Sequence, residues 1–166
     1  FVYAGATMAF TTAYWVLGHY NPREIAFLGC DMSYPKSSKT HFYGTGTADP
    51  LREDITLISL EAKAARLYAL ALAQGCEITN LSQETSCLIA PRRSLLEPRP
   101  EPFEIDKVQK THALAREQEL AYYVASGRYW EELERFDIKQ IKRLDALWST
   151  VVIAPPQGVV APMRSH

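Results

Sequence analysis

Several things are scarce in this sequence, and each scarcity narrows its chemistry. Formal net charge is only −1 over 166 residues, so the basic excess that a phosphate-backbone surface carries is missing. Nucleic acid is therefore not an expected partner. Cysteines number 3, and Cys30, Cys76 and Cys87 show no metal-ligand spacing. They read as small buried thiols in a reducing compartment. Of the 4 histidines, His19, His112 and His166 lack companions at ligand spacing, so no metal site is expected. No apolar run approaches the roughly 18 residues that cross a bilayer, and no secretory leader is legible. The expected location is the cytoplasm, including the inner face of the membrane. A Walker lysine loop and a G-x-S-x-G elbow are also missing. The chain opens at Phe1 in a pattern that already reads as helix, which suggests a start inside a larger protein.

What is present is an ordinary globular composition, 47% apolar and 22% charged, long enough for one domain with a sizeable core. Phe1 to Gly18 has Ala6, Ala9, Phe10, Ala13, Tyr14 and Leu17 at helical spacing, with Gly18 placed just past the end. Glu24 to Gly29 is continuously apolar at its centre, as a strand covered on both faces is. Asp49-Pro50 reads as the start of a helix to about Gln74, with Glu61, Lys63 and Arg66 as its wet side. Cys76 to Leu81 is a second short strand. Strand, helix and strand in this order predict a βαβ unit.

The expected fold is α/β: a partial doubly wound, Rossmann-like parallel sheet over 1–92, with a C-terminal helical hairpin. A connector over 93–104 carries Pro98, Pro100 and Pro102 and suits no regular element. Helical patterns over 105–150 form the hairpin, the expected contact surface for a second copy or a partner chain. One stripe holds Val108, Ala115, Leu120, Tyr123 and Val124; the other holds Trp130, Leu133, Phe136, Ile141, Leu144 and Trp148. Glu131, Glu132, Glu134 and Arg135 read as a solvated helix face, and 151–166 as a tail.

Chemistry concentrates where the first strand ends. Gly29, Cys30 and Asp31 stop the apolar run, and a loop over 31–48 follows with Ser33, Tyr34, Lys39, Thr40, His41 and Tyr43. Loops longer than about 12–15 residues in compact domains are usually functional or disordered, and the aromatics here argue for order. In open α/β sheets ligands bind beyond the carboxyl ends of the strands. His41 is a candidate general base near neutral pH. Asp31 reads either as a ligand contact or as a loop cap. Tyr34, Tyr43 and Lys39 are candidates for phosphate contact. Ser82 and Ser86 close the second strand, and Gly5 and Thr7 approach from the first helix.

The pattern Glu24-Ile25-x-x-x-Gly29-x-Asp31-x-x-Tyr34, followed by Thr40-His41, resembles bacterial sialyltransferase-like enzymes. That group includes the motility-associated flagellin glycosyltransferases and the hydroxymethylpterin diphosphokinase-like domain that shares their fold. The similarity spans roughly Gly5 to Arg92, with an echo in Asn80-Leu81-Ser82. It implies a glycosyltransferase that moves a nonulosonic acid of sialic-acid type from a CMP donor to a bacterial surface glycan or protein, with no cofactor or metal required. It further implies His41 as base, Tyr34 as leaving-group contact and Asp31 as organiser. Gly5, Thr7, Ser33 and Ser82 would hold the nucleotide, and Lys39, Thr40 and Tyr43 would meet phosphate or acceptor. A diphosphokinase-like enzyme using Mg²⁺, and a non-catalytic module docking through its C-terminal helices, are the alternatives.

Overall fold

A computed structural model describes residues 7–32 and 55–153. Among them four α-helices and four short strands form a mixed α/β arrangement. Helix α1 (Met8–Tyr20) is capped by Thr7, whose backbone is extended and whose Oγ1 accepts from Phe10 N at 3.2 Å. Gly18 lies inside this helix rather than beyond it. Termination falls to Asn21, left-handed at φ 44°, a conformation that asparagine tolerates better than most residues, with Pro22 next.

Strand β1 (Glu24–Phe27) pairs in parallel with β2 (Glu77–Asn80), and helix α2 (Leu60–Ala73) connects them. The helix expected from Asp49 begins later over the described part. Ile55–Leu57 is a 3-10 turn, and Ser59, extended, caps α2 by accepting from Ala62 N at 3.2 Å. Asp49 and Pro50 lie outside the described residues. Beyond β2, Asn80 N donates to Pro91 O and Arg93 N to Asn80 O, so a one-residue parallel bridge flanks the sheet.

The register aligns Ile25 with Ile78 and Phe27 with Asn80, which puts these four on one face. Phe27 and Ile78 are buried in one core with Phe10, Ala13 and Leu17 of α1 and Leu67, Tyr68 and Ala71 of α2. Each large apolar side chain buried there contributes about 1.5–3 kcal/mol. Glu24, Ala26, Glu77 and Thr79 occupy the other face, and among the described residues no helix covers it. Thr79 Oγ1 and Arg93 both donate to Glu24 Oε1 (2.7 and 2.8 Å), Arg99 pairs with Glu77, and Ala26 is exposed. The expectation of a strand covered apolar on both faces is corrected accordingly: helices lie on one side and a charged connector on the other.

Two-residue strands β3 (Glu104–Ile105) and β4 (Val152–Ile153) pair antiparallel and bracket the last helices. Helix α3 (Lys107–Leu120) is shorter than the periodicity predicts, because Asp106 caps it through Val108 N and Gln109 N and Ala121 ends it at φ 49°. Between Tyr129 and Arg135, where the second helix was expected to start, there are two 3-10 turns; helix α4 (Ile138–Ser149) begins after Asp137. Glu131, Glu134 and Arg135 are exposed on these turns and Glu132 is half-buried between them, rather than all lying along a helix. Val108, Tyr123, Trp130 and Leu133 also face solvent, while Ala113, Val124, Phe136, Ile141, Leu144 and Trp148 are buried.

Helices α3 and α4 pack over the side of α2 that was expected to be wet. Lys63 is 0% exposed and pairs with Asp145 at 3.0 Å; Arg66 is buried against Glu117. Burying charge is costly unless it is paired and hydrogen-bonded, and both partners come from the later helices. Helix α2 thus separates two cores, one shared with the parallel sheet and one shared with α3 and α4.

Candidate functional site

Three elements converge at the carboxyl end of the parallel pair. As β1 ends, Leu81 N donates to Phe27 O at 2.8 Å, and Gly29 turns the chain with φ 68°, a conformation glycine adopts without side-chain strain. Gly29 N donates to Ser82 Oγ at 2.8 Å. Ser82 N in turn donates to Asn80 Oδ1 at 2.9 Å, a side chain folding back over its own backbone two residues on. Arg92 donates to Ser82 O at 2.6 Å. The ends of β1 and β2 are tied together.

The segment after Gly29 is held as firmly. Cys87 N donates to Asp31 O at 2.9 Å, and the Cys87 thiol to Met32 O at 3.4 Å. Met32 takes φ 52°, and a non-glycine residue there costs roughly 1–2 kcal/mol. Such strain persists where surrounding contacts over-determine it, and it clusters at ligand sites. Thr7 Oγ1 donates to Met32 Sδ at 3.6 Å, which brings the start of α1 to the same place. A helix N-terminus presents unpaired N–H groups and partial positive charge, favourable to an anion.

Of the expected site residues, Thr7, Asp31 and Ser82 are brought together here. Gly5, Ser33, Tyr34, Lys39, Thr40, His41 and Tyr43 lie outside the described residues. The Thr7 hydroxyl is engaged twice, as cap and as donor to sulfur. Ser82 Oγ accepts from Gly29 N and keeps its own proton to donate. Asp31 Oδ1 is buried and has no hydrogen-bond partner among the described residues. Burial, and secondarily the Asp31 charge, push the Cys30 thiol up, so it stays protonated and is a poor nucleophile.

Asn80 entered the sequence reading only within the Asn80-Leu81-Ser82 echo and not as a site residue. It is 0% exposed, and its Nδ2 has no partner among the described residues. A signal existed, since asparagine closing a buried strand two residues before serine fits an Asx turn. Arg92 stood in the sequence only as the last residue of the Rossmann-like stretch, yet it fastens the turn after β2.

A second polar cluster lies between the helices. Glu117 accepts from Arg66 at 2.5 and 3.0 Å and from Trp148 Nε1 at 3.2 Å, and Arg66 also donates to Tyr14 OH at 2.7 Å. Burial pushes the Tyr14 phenol up against the opposing charge of Arg66, so it stays neutral. A cavity of about 330 Å³ opens beside this cluster, lined by Leu114, Leu120, Tyr122 and Leu144 among others. With its charges mutually satisfied, the cluster serves as a joint between helices. Among the described residues no group of His, Cys, Asp and Glu could hold a metal ion, and no helix is long and apolar enough to cross a membrane.

Comparison with known families, with curated proteins and with solved structures finds no match for this chain.

Proposed function

We propose that the chain is a glycosyltransferase domain of the sialyltransferase-like kind, built on part of a doubly wound, Rossmann-like sheet. The reaction is transfer of a nonulosonic acid from CMP to a hydroxyl of a bacterial surface glycan or protein, at the cytoplasmic side of the membrane. One observation carries the reading: the carboxyl ends of two parallel strands and the start of α1 meet at Gly29–Met32, where Ser82 Oγ holds Gly29 N and Cys87 N holds Asp31 O. Strand ends of this kind are where nucleotide ligands bind in open α/β sheets. The helix start suits the donor phosphate, and the Ser82 hydroxyl is free to donate.

On this reading His41 takes the proton of the acceptor hydroxyl as the new glycosidic bond forms. The bond from sugar to phosphate breaks, and CMP leaves with the electron pair. Tyr34, Lys39, Thr40 and Tyr43 offset charge gathering on the phosphate, and donors aimed at developing charge lower a barrier most. Gly5, Thr7 and Ser33 complete the nucleotide side.

The test is donor hydrolysis and transfer by the wild type and by His41→Ala. Loss of a general base lowers turnover by about 10²–10⁴. Unchanged turnover refutes the base assignment. Diphosphate transfer that requires Mg²⁺ replaces the reading with a diphosphokinase. Failure to bind CMP or GTP in calorimetry replaces it with a binding module that docks through 105–150.

A further inference from the structure

The cavity of about 330 Å³ on the α3–α4 side of α2 has a shape and a charge balance that narrow what fits inside it. Leu114 and Leu120 of α3 and Leu144 of α4 give it apolar walls, and Tyr122 closes one side. That ring is fixed in place: its hydroxyl accepts from Asp137 N at 3.1 Å, and it meets the Phe136 ring edge to face at 5.1 Å. Ala121 also lines the cavity and is held at φ 49°, where a non-glycine residue costs roughly 1–2 kcal/mol. Strain of this kind clusters at ligand sites. Two of the lining residues are charged, Arg66 and Glu117, and they pair with each other. A carboxylate has roughly four acceptor positions; on Glu117, Arg66 takes two and Trp148 Nε1 takes one. A dry apolar cavity of about 150 Å³ takes up benzene, so one about twice that size has room for a two-ring molecule.

We propose that this cavity is a second binding site, for an uncharged apolar molecule of about two rings that carries one hydroxyl or N–H donor. The rings lie against Leu114, Leu120, Leu144 and Tyr122, and the donor bonds to Glu117. An ion of either sign is selected against. It gives up its hydration on entry, and the paired charges of Arg66 and Glu117 offer it no net opposite charge in return. The site belongs to the side of α2 that packs against α3 and α4, and it is independent of what the strand ends bind.

Calorimetry of the full chain with four probes of similar size tests the proposal: naphthol, its methyl ether, naphthoate and naphthylmethylammonium. Near neutral pH naphthol is uncharged. It is expected to bind about tenfold tighter than the methyl ether, which lacks the donor, and about tenfold or more tighter than either ion. Leu120→Trp fills the cavity and abolishes naphthol binding; thermal melts confirm that the variant is folded, and Leu114→Phe takes its place if it is not. Glu117→Gln removes the negative half of the pair, so naphthoate gains about tenfold over its wild-type affinity while naphthylmethylammonium gains nothing. No binding of naphthol overturns the proposal, and so does naphthol binding that the filling variant leaves untouched. Ions that bind the wild type as tightly as naphthol, or naphthoate binding unmoved by Glu117→Gln, overturn the selection for an uncharged ligand. A methyl ether that binds as tightly as naphthol overturns the bond to Glu117.

Discussion

Replacing Glu117 by glutamine isolates one term in the stability of the helical half. Glu117 holds Arg66 through both carboxylate oxygens, and the two side chains are 16% and 8% exposed. Glutamine has nearly the same volume and one carbonyl oxygen, so the Trp148 Nε1 bond survives and packing around Trp148, itself 0% exposed, is undisturbed. What disappears is the negative charge and one acceptor. Arg66 is then a buried cation whose bond to the Tyr14 hydroxyl does not neutralise it. Removing one partner of a buried pair typically costs about 3–5 kcal/mol, and the partial exposure of Glu117 places this case near about 2–3 kcal/mol. With a urea m-value of about 2 kcal/mol/M, the midpoint falls by roughly 1–1.5 M while m stays constant. The double replacement Arg66→Met with Glu117→Gln removes both charges, keeps an acceptor for Trp148 Nε1 and returns to within about 1 kcal/mol of the wild type. A Glu117→Gln midpoint within about 0.2 M of wild type refutes the claim that this pair joins α2 to α3. A double variant less stable than the single one refutes the claim that losing the Glu117 charge opposite Arg66 is the source of the cost.

Acid sensitivity is expected on the open sheet face. Burial acts to raise the Glu24 carboxyl, but hydrogen bonds from Arg93 and Thr79, with the charges of Arg93 and Arg99, outweigh it and hold the group below its ordinary 4.5. The native state thus binds this proton more weakly than the unfolded chain, so the contribution is complete above pH 4.5 and is lost as pH falls through the lower native value. Unfolding free energies from pH 3 to 6 should show an acid loss in the wild type that is smaller in Glu24→Gln; parallel curves contradict this. At the end of α1, Asn21→Val places a β-branched residue at φ 44° and should lower stability by about 1–2 kcal/mol, whereas Asn21→Gly should be close to neutral, both read from thermal melts.

Much of the βαβ half was legible in the residues themselves. Apolar spacing and the breaks at Asn21-Pro22 and Gly75 mark α1, β1, α2 and β2 in order, and Asp31 and Ser82 fall at strand ends as expected. Element ends were less legible, because they depend on which residue takes the capping conformation. Ser59, Asp106 and Asp137 do so, each a side-chain oxygen within reach of N–H groups two or three residues on. In the α3 stripe, Val108 and Tyr123 were placed on the wrong side and Ala113 was passed over. A short alanine carries little weight in a periodicity argument, yet it is what permits close helix packing.

Local order, then, is written in the chain: the period of apolar residues, the caps and the breakers decide which segments are helix or strand. Burial of Lys63 and Arg66 is not. Their partners are separated from them by 82 and 51 positions, and no local pattern shows that α3 and α4 will deliver Asp145 and Glu117 to the outer face of α2. The site divides in the same way. Sequence spacing marks Asp31 and Ser82 as strand-end residues. Only the parallel register aligns the end of β1 with Asn80 and ties Gly29 to Ser82. Propensity acts over a few residues, whereas the pairing of buried polar groups is set by which distant segments share a wall.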